Sequence, residues 1–198
     1  MRFGINTFLF TSPFTDDSTK WFKTFKSWGF DSVEIAVEHE SHIDPTYVKG
    51  ELDRNGLVAG TLCGAFGPGR DLRGTPEEQQ ACLDYVHKLI DMMGILDSPV
   101  LVGPIYSAVG RAEFVPEKER RAQWKQVVKH LKTLCKYAEK KKKAIALEPL
   151  NRFETDFINT CDQAIQMIQD VGSPALLIHL DTFHMNIEEK EPAKAIRK

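Results

Sequence analysis

Two segments carry residue types that do chemistry. The apolar run Ala144-Ile145-Ala146-Leu147 ends in Glu148 and continues Pro149-Leu150-Asn151-Arg152-Phe153-Glu154. The run Leu177-Ile178-His179-Leu180 ends in Asp181 and continues Thr182-Phe183-His184-Met185-Asn186. A carboxylate closing an apolar run is poor core material, because a buried charge needs a partner or a metal. If the runs are neighbouring parallel strands, the two acidic ends lie close, since strands pack about 4.8 Å apart. Two like charges that close repel unless a cation sits between them or one is protonated. The residues alone leave three readings open: a divalent-metal site, an acid/base pair without metal, or structural hydrogen bonding. Oxygen ligands suit Mg²⁺ or Mn²⁺, and an added imidazole shifts the preference towards Mn²⁺, Co²⁺ or Zn²⁺.

Lesser candidates surround the pair. His184, three residues after Asp181, falls in the turn above the strand, where a site role and a structural role are both open. Glu154, six residues after Glu148, reads equally as a surface or a site glutamate. His179 reads as a core or helix-facing histidine. Cys63 ends a strand and could line a pocket, but no base is visibly paired with it to make it a nucleophile. Glu38-His39-Glu40-Ser41-His42 lacks the spacing of the H-E-x-x-H helix and reads as a solvated loop. Gly67-Pro68-Gly69-Arg70 lacks the lysine and spacing of a phosphate loop and reads as a turn. No G-x-S-x-G is present.

Elements must position these groups, and the pattern alternates strand and helix. Strands are expected over 3–8, 32–37, 57–63, 99–102, 144–147 and 175–180. The first helix carries Trp21, Phe22, Phe25 and Trp28 at helical spacing as core aromatics, and Gly29 ends it. Pro45 opens a second helix that runs to about Asn55-Gly56. Thr75 caps a third that Gly94 closes. A fourth runs from Pro116 to about Lys142, a fifth covers 161–171, and a sixth begins in the acidic, Lys-rich tail. Six β-then-α units imply a parallel sheet with helices outside. No strand is followed by G-x-G-x-x-G, which argues against a doubly wound dinucleotide fold. Asn6, Glu38, Cys63, Glu148 and Asp181 gather at strand C-terminal ends, where a (β/α) barrel puts its site.

The chain has 198 residues with Lys+Arg 26 against Asp+Glu 28, a formal net charge of −2. That balance gives no footprint for nucleic acid or an anionic membrane. The run Lys140–Lys143 reads as a solvated helix end that complements the helix dipole. No stretch approaches 18 apolar residues, so no membrane span is expected. The opening Met1–Thr7 is broken by Asn6 and Thr7 and is not expected to act as a secretory leader. Cys63, Cys82, Cys135 and Cys161 are widely spaced and read as reduced thiols, so a cytoplasmic location is expected.

The two segments together resemble a known family. Glu148-Pro149-Leu150-Asn151-Arg152-Phe153-Glu154 and His179-Leu180-Asp181-Thr182-Phe183-His184-Met185-Asn186 are similar to the strand-five and strand-six motifs of xylose-isomerase-like TIM barrels, specifically the D-tagatose 3-epimerase and D-psicose (allulose) 3-epimerase group. Gly29-Phe30-Asp31-Ser32-Val33-Glu34 is a weaker shared feature. The resemblance implies a TIM (β/α)8 barrel and a metal-dependent ketose 3-epimerase that works through a metal-stabilised enediolate. It implies Glu148 and Asp181 as ligands of a divalent metal, Mn²⁺ first, with Co²⁺ or Mg²⁺ as alternatives. Glu148 would also be one of two catalytic bases. Glu154 and His184 would hold the sugar, with Cys63 beside it. The family's remaining His and Glu ligands belong to strands seven and eight, which have no counterpart before Lys198. A single domain over 1–198, truncated before those strands and with an incomplete site, is therefore expected. The expected partner is a small-molecule sugar, with no nucleic acid and no membrane, and relatives suggest a homodimer or tetramer. Three alternatives compete: a lyase or isomerase acting on another keto sugar or 3-oxo-glycoside, a non-catalytic sugar-binding fragment, and a nuclease of the endonuclease IV type. The last should carry more His ligands and a basic face, and neither is evident.

Overall fold

The computed structural model describes residues 2–198; Met1, at the head of the opening segment, lies outside them. Strands β1 (Gly4–Asn6), β2 (Ser32–Val37), β3 (Val58–Gly64), β4 (Val100–Gly103), β5 (Ala144–Leu147) and β6 (Leu176–Ile178) form one parallel sheet in sequence order. Helices α1 (Phe22–Ser27), α2 (Pro45–Arg54), α3 (Pro76–Leu96), α4 (Glu117–Lys140), α5 (Cys161–Val171), α6 (Thr182–Glu188) and α7 (Pro192–Ile196) complete the described chain. Sequential order without reversal is barrel-wall topology; a doubly wound sheet reverses its strand order part-way.

Period-two alternation decides which side chains face the site. Val33, Ile35 and Val37 point to the helices and are fully buried. The opposite face carries Ala36, Cys63, Val102, Ala146 and Leu177, which lie in one register row across β2 to β6. Two residues further along the same face come Glu38, Glu148 and His179, and then Asp181. The strand ends thus deliver polar groups at one level of the barrel mouth.

The helix starts follow local chemistry. Asp44 accepts from the Thr46 amide ahead of Pro45, and Thr75 and Glu78 form a reciprocal capping box ahead of α3. Four expectations change. The first strand is only Gly4–Asn6, because the Asn6 side chain accepts from the Phe8 amide at 2.7 Å and turns the chain into a short 3₁₀ turn, Thr7–Leu9. The first helix opens as a 3₁₀ segment, Asp16–Trp21, and its Trp28 is 56% exposed while Phe22 and Phe25 are buried. Gly94 does not close the third helix. It sits exposed inside α3, and Asp97, with φ 57°, makes the left-handed cap. The tail forms two short helices rather than one.

A buried ionic clasp ties the loops above the sheet. The Arg73 side chain is wholly buried and donates to Asp156 (2.8 Å) and Ser107 (3.2 Å), with its guanidinium 4.6 Å from the Phe157 ring centroid. Arg120 also pairs with Asp156. The Gly110 amide donates to the Glu154 carbonyl at 2.7 Å, and Arg111 bridges Thr155. The loop carrying Glu154 is therefore anchored to the two before it. No helix among the described residues is long and apolar enough to cross a membrane.

Burial works to raise the Asp156 pKa, yet Arg120 and Arg73 hold it below its ordinary value. That contribution to stability is present above the ordinary Asp value of about 3.9 and is lost as pH falls through the lowered folded value. Asp156→Asn leaves Arg73 buried without its counter-ion and should cost about 3 kcal/mol in urea unfolding; a loss under about 0.5 kcal/mol would show that the clasp is not structural.

Candidate active site at the strand ends

Glu148 follows β5 directly, and its amide donates to the Gly103 carbonyl at 3.1 Å, continuing the sheet by one residue. The buried Tyr106 hydroxyl lies 2.8 Å from the Glu148 carbonyl and 3.0 Å from that of Ile158, pinning the backbone at this point. Asp181 is the N-cap of α6 and accepts from the Phe183 amide at 2.7 Å through Oδ1. Its Oδ2 lies 3.8 Å from His184 Nε2, which is 3.9 Å from Glu148 Oε1. One ligand atom from each of Glu148, Asp181 and His184 lies within 4.8 Å of the others.

The Glu148 carboxylate is only 12% exposed and makes no hydrogen bond among the described residues. The buried His179 Nδ1 beside it, at 3.6 Å, is likewise unpartnered. A nearly buried carboxylate without a donor, facing a second carboxylate, is a cation-shaped deficit. The donor set fits a hard divalent ion held by carboxylate oxygens.

His184 is better suited to a different part. Its Nδ1 accepts from the Asn151 backbone amide at 3.2 Å, with the Asn151 side-chain nitrogen at 2.9 Å. A backbone N–H can only donate, so the neutral ring carries its proton on Nε2. That protonated Nε2 lies 3.8 Å from Asp181 Oδ2 and 3.9 Å from Glu148 Oε1 and, in this tautomer, has no lone pair to offer a metal.

Asn151 serves both flanks of the site. Fully buried, it also donates from Nδ2 to Glu154 Oε1 at 2.7 Å, while its Oδ1 accepts from the Phe153 amide. Glu188 on α6 accepts from the Arg152 amide and from its guanidinium, tying the Glu154 loop to the helix that carries His184.

All five residues expected at the site, Glu148, Asp181, Glu154, His184 and Cys63, line one cavity of about 900 Å³. Burial, with Glu34 and Glu148 nearby, pushes the Cys63 thiol far above its ordinary value, so it is a neutral wall. The sequence reading of His179 is corrected: it lines the cavity. Glu148 raises its pKa, against the opposing effect of burial. Counting back two from Asp181 would have put it on the same face. Asn6, Glu34 and Arg70 line the cavity as well. Glu34 accepts from Asn6 Nδ2 and Thr61 Oγ1 and forms part of the floor. The Glu38–His42 segment brings His39 and His42 to a ring separation of 5.6 Å, and its Glu40 pairs with Lys88.

A family model described as "Xylose isomerase-like TIM barrel" matches residues 22–198. The chain belongs to that family. It is 33% identical over 98% of its length to a probable ketose 3-epimerase of Synechocystis sp., and 30% identical over its whole length to a D-psicose 3-epimerase of Enterocloster bolteae. It superposes with a TM-score of 0.91 and 27% identity on a D-allulose 3-epimerase of Methylomonas sp. in complex with D-allulose, over 99% of this chain and 67% of that one. The chain spans about two thirds of the length of these relatives (67% of each curated one). Its named relatives are epimerase enzymes, as the two motifs had implied.

The ring tautomer is directly measurable. Long-range ¹⁵N–¹H correlation at neutral pH should find the His184 proton on Nε2. A proton on Nδ1 would contradict the hydrogen bond from Asn151.

Proposed function

We propose that the complete protein is a divalent-metal-dependent ketose 3-epimerase. The observation that carries this reading is the pair of carboxylates, Glu148 and Asp181, converging with the His184 Nε2–H in a cavity large enough for a sugar. Glu148 and Asp181 would hold the ion, Mn²⁺ by family resemblance.

A bound divalent ion would supply the positive charge that lets a proton beside a ketone leave. The chain's own residues do the rest. Glu148 has oxygen lone pairs free of hydrogen bonds, so it takes the C3 proton from its own face in one direction of the reaction and delivers a proton to that face in the reverse direction. His184 donates from Nε2 to a sugar oxygen, because Asn151 keeps its other nitrogen occupied. Glu154, held by the Asn151 amide, accepts from a hydroxyl near the reacting carbon. Cys63 stays a thiol and gives the sugar a neutral contact. Inversion needs a second group on the opposite face of C3, which the family resemblance reserves for a glutamate on a later strand.

Among the described residues, five carboxylates line the cavity against one guanidinium. Such a field disfavours a phosphorylated substrate and favours a free sugar.

The test is proton exchange. The complete protein, with whatever sequence its gene carries beyond Lys198, is incubated with Mn²⁺ and D-fructose in D₂O. Deuterium should enter at C3 and the C3 epimer should form. Glu148→Gln should lower kcat by about 10³-fold or more with little change in fold. Exchange at a carbon other than C3, or an active Glu148→Gln variant, would overturn the assignment.

A further inference from the structure

Among the described residues, the loop after β3 contributes the one lysine or arginine that lines the cavity, Arg70, which is not one of the groups around the carboxylate pair. Gly67-Pro68-Gly69-Arg70 is a tight turn: the Arg70 amide donates to the Gly67 carbonyl at 3.0 Å, and Gly69 takes φ +86°. The turn sends Arg70 back over the strand ends. Its Nη1 donates to the Ala65 carbonyl and its Nη2 to the Glu38 carbonyl, both at 2.9 Å. The guanidinium lies 4.1 Å from the Tyr85 ring centroid. Tyr85 is itself fixed, accepting from the Ala65 amide at 3.0 Å and donating to the Val37 carbonyl. Burial pushes its pKa up to about 12, so it remains a phenol.

This cation is therefore held in place before any ligand arrives. A guanidinium has five N–H donors. Two are used, and three have no protein acceptor among the described residues. β3 lies two strands from β5 and three from β6, about 10 Å or more along the sheet from Glu148 and Asp181. A sugar whose C2 and C3 meet that pair and whose chain runs across the cavity has its remaining carbons within reach of Arg70.

We infer that Arg70 is a specificity-determining residue that binds the hydroxyls of the sugar's far end, beyond the reacting carbon. This rests on the ketose reading above and names the part of the substrate that the β3 loop recognises. The acidic surroundings select hydroxyls rather than a phosphate: Glu34 and Glu38 share the same side of the cavity. Hydroxyls that do not change during the reaction are held equally in the ground and transition states, so loss of this contact falls on KM rather than kcat.

Substrate length provides the test. D-Fructose has three carbons beyond C3, and erythrulose has one. Arg70→Met keeps the aliphatic stem over Tyr85 and removes the donors. It should raise KM for D-fructose about tenfold or more, leave kcat within about twofold, and change kcat/KM for erythrulose by less than about twofold. Equal losses on both substrates would overturn the inference, since a merely structural arginine would not distinguish them. Arg70→Lys keeps the charge but loses the fork, and should fall between the two; it also carries the comparison if Arg70→Met lowers the melting temperature sharply. Calorimetric binding of the two sugars to the Mn²⁺-loaded protein needs no turnover. A wild type that binds both but exchanges no proton would sink the epimerase reading, while the length dependence of binding would still decide the role of Arg70. Tighter binding of D-fructose 6-phosphate than of D-fructose, abolished in Arg70→Met, would assign the guanidinium to a phosphate and overturn the hydroxyl reading.

Discussion

The site depends on one unresolved repulsion. Glu148 and Asp181 stand at the ends of neighbouring parallel strands, and Glu148 is nearly buried without a donor. Sheet geometry forces the proximity, because the register of β5 and β6 carries both residues to the mouth of the barrel. Protein groups neutralise the pair only in part. Asp181 spends one oxygen capping α6, and the nearest nitrogens, on His179 and His184, stop at 3.6–3.9 Å. Interactions at that distance are long for hydrogen bonds. The fold thus keeps two like charges together at a cost, which a divalent ion and a polar substrate can offset.

Around that pair the structure spends its hydrogen bonds on orientation. Asn151 is buried and touches both Glu154 and His184, so one side chain sets the positions of two others. Glu188 binds the Arg152 backbone and guanidinium, which couples the β5 loop to α6. The Arg73–Asp156–Arg120 cluster braces the same loop from the other side. A site whose supporting residues are packed and bonded in this way holds its geometry before substrate arrives.

Much of this was readable in the sequence, for identifiable reasons. A carboxylate ending an apolar strand is conspicuous, so Glu148 and Asp181 stand out from the sequence alone. Helix starts with Thr75 or Pro45 announced themselves through capping chemistry. A histidine inside a short apolar run looks like core, so the His179 pattern points away from the cavity it lines; its face is fixed only once Asp181 is taken as the reference for alternation. Glycine often ends helices, so Gly94 suggests a stop, whereas here exposure permits it mid-helix and Asp97 takes the left-handed cap. Arg70, Asn151 and the Arg73 clasp act through contacts between loops far apart in sequence, such as Arg73 with Asp156. Local pattern carries no trace of such pairings.

If the acidic pair holds a cation, a metal titration will count it. Free Mn²⁺ gives a strong electron paramagnetic resonance signal that bound Mn²⁺ loses. Saturable loss of that signal is expected at one site per chain, with affinity weakened at least about tenfold in Asp181→Asn and in Glu148→Gln while both variants stay folded. Binding that survives both substitutions unchanged, or no saturable binding to the complete wild-type protein, would contradict it.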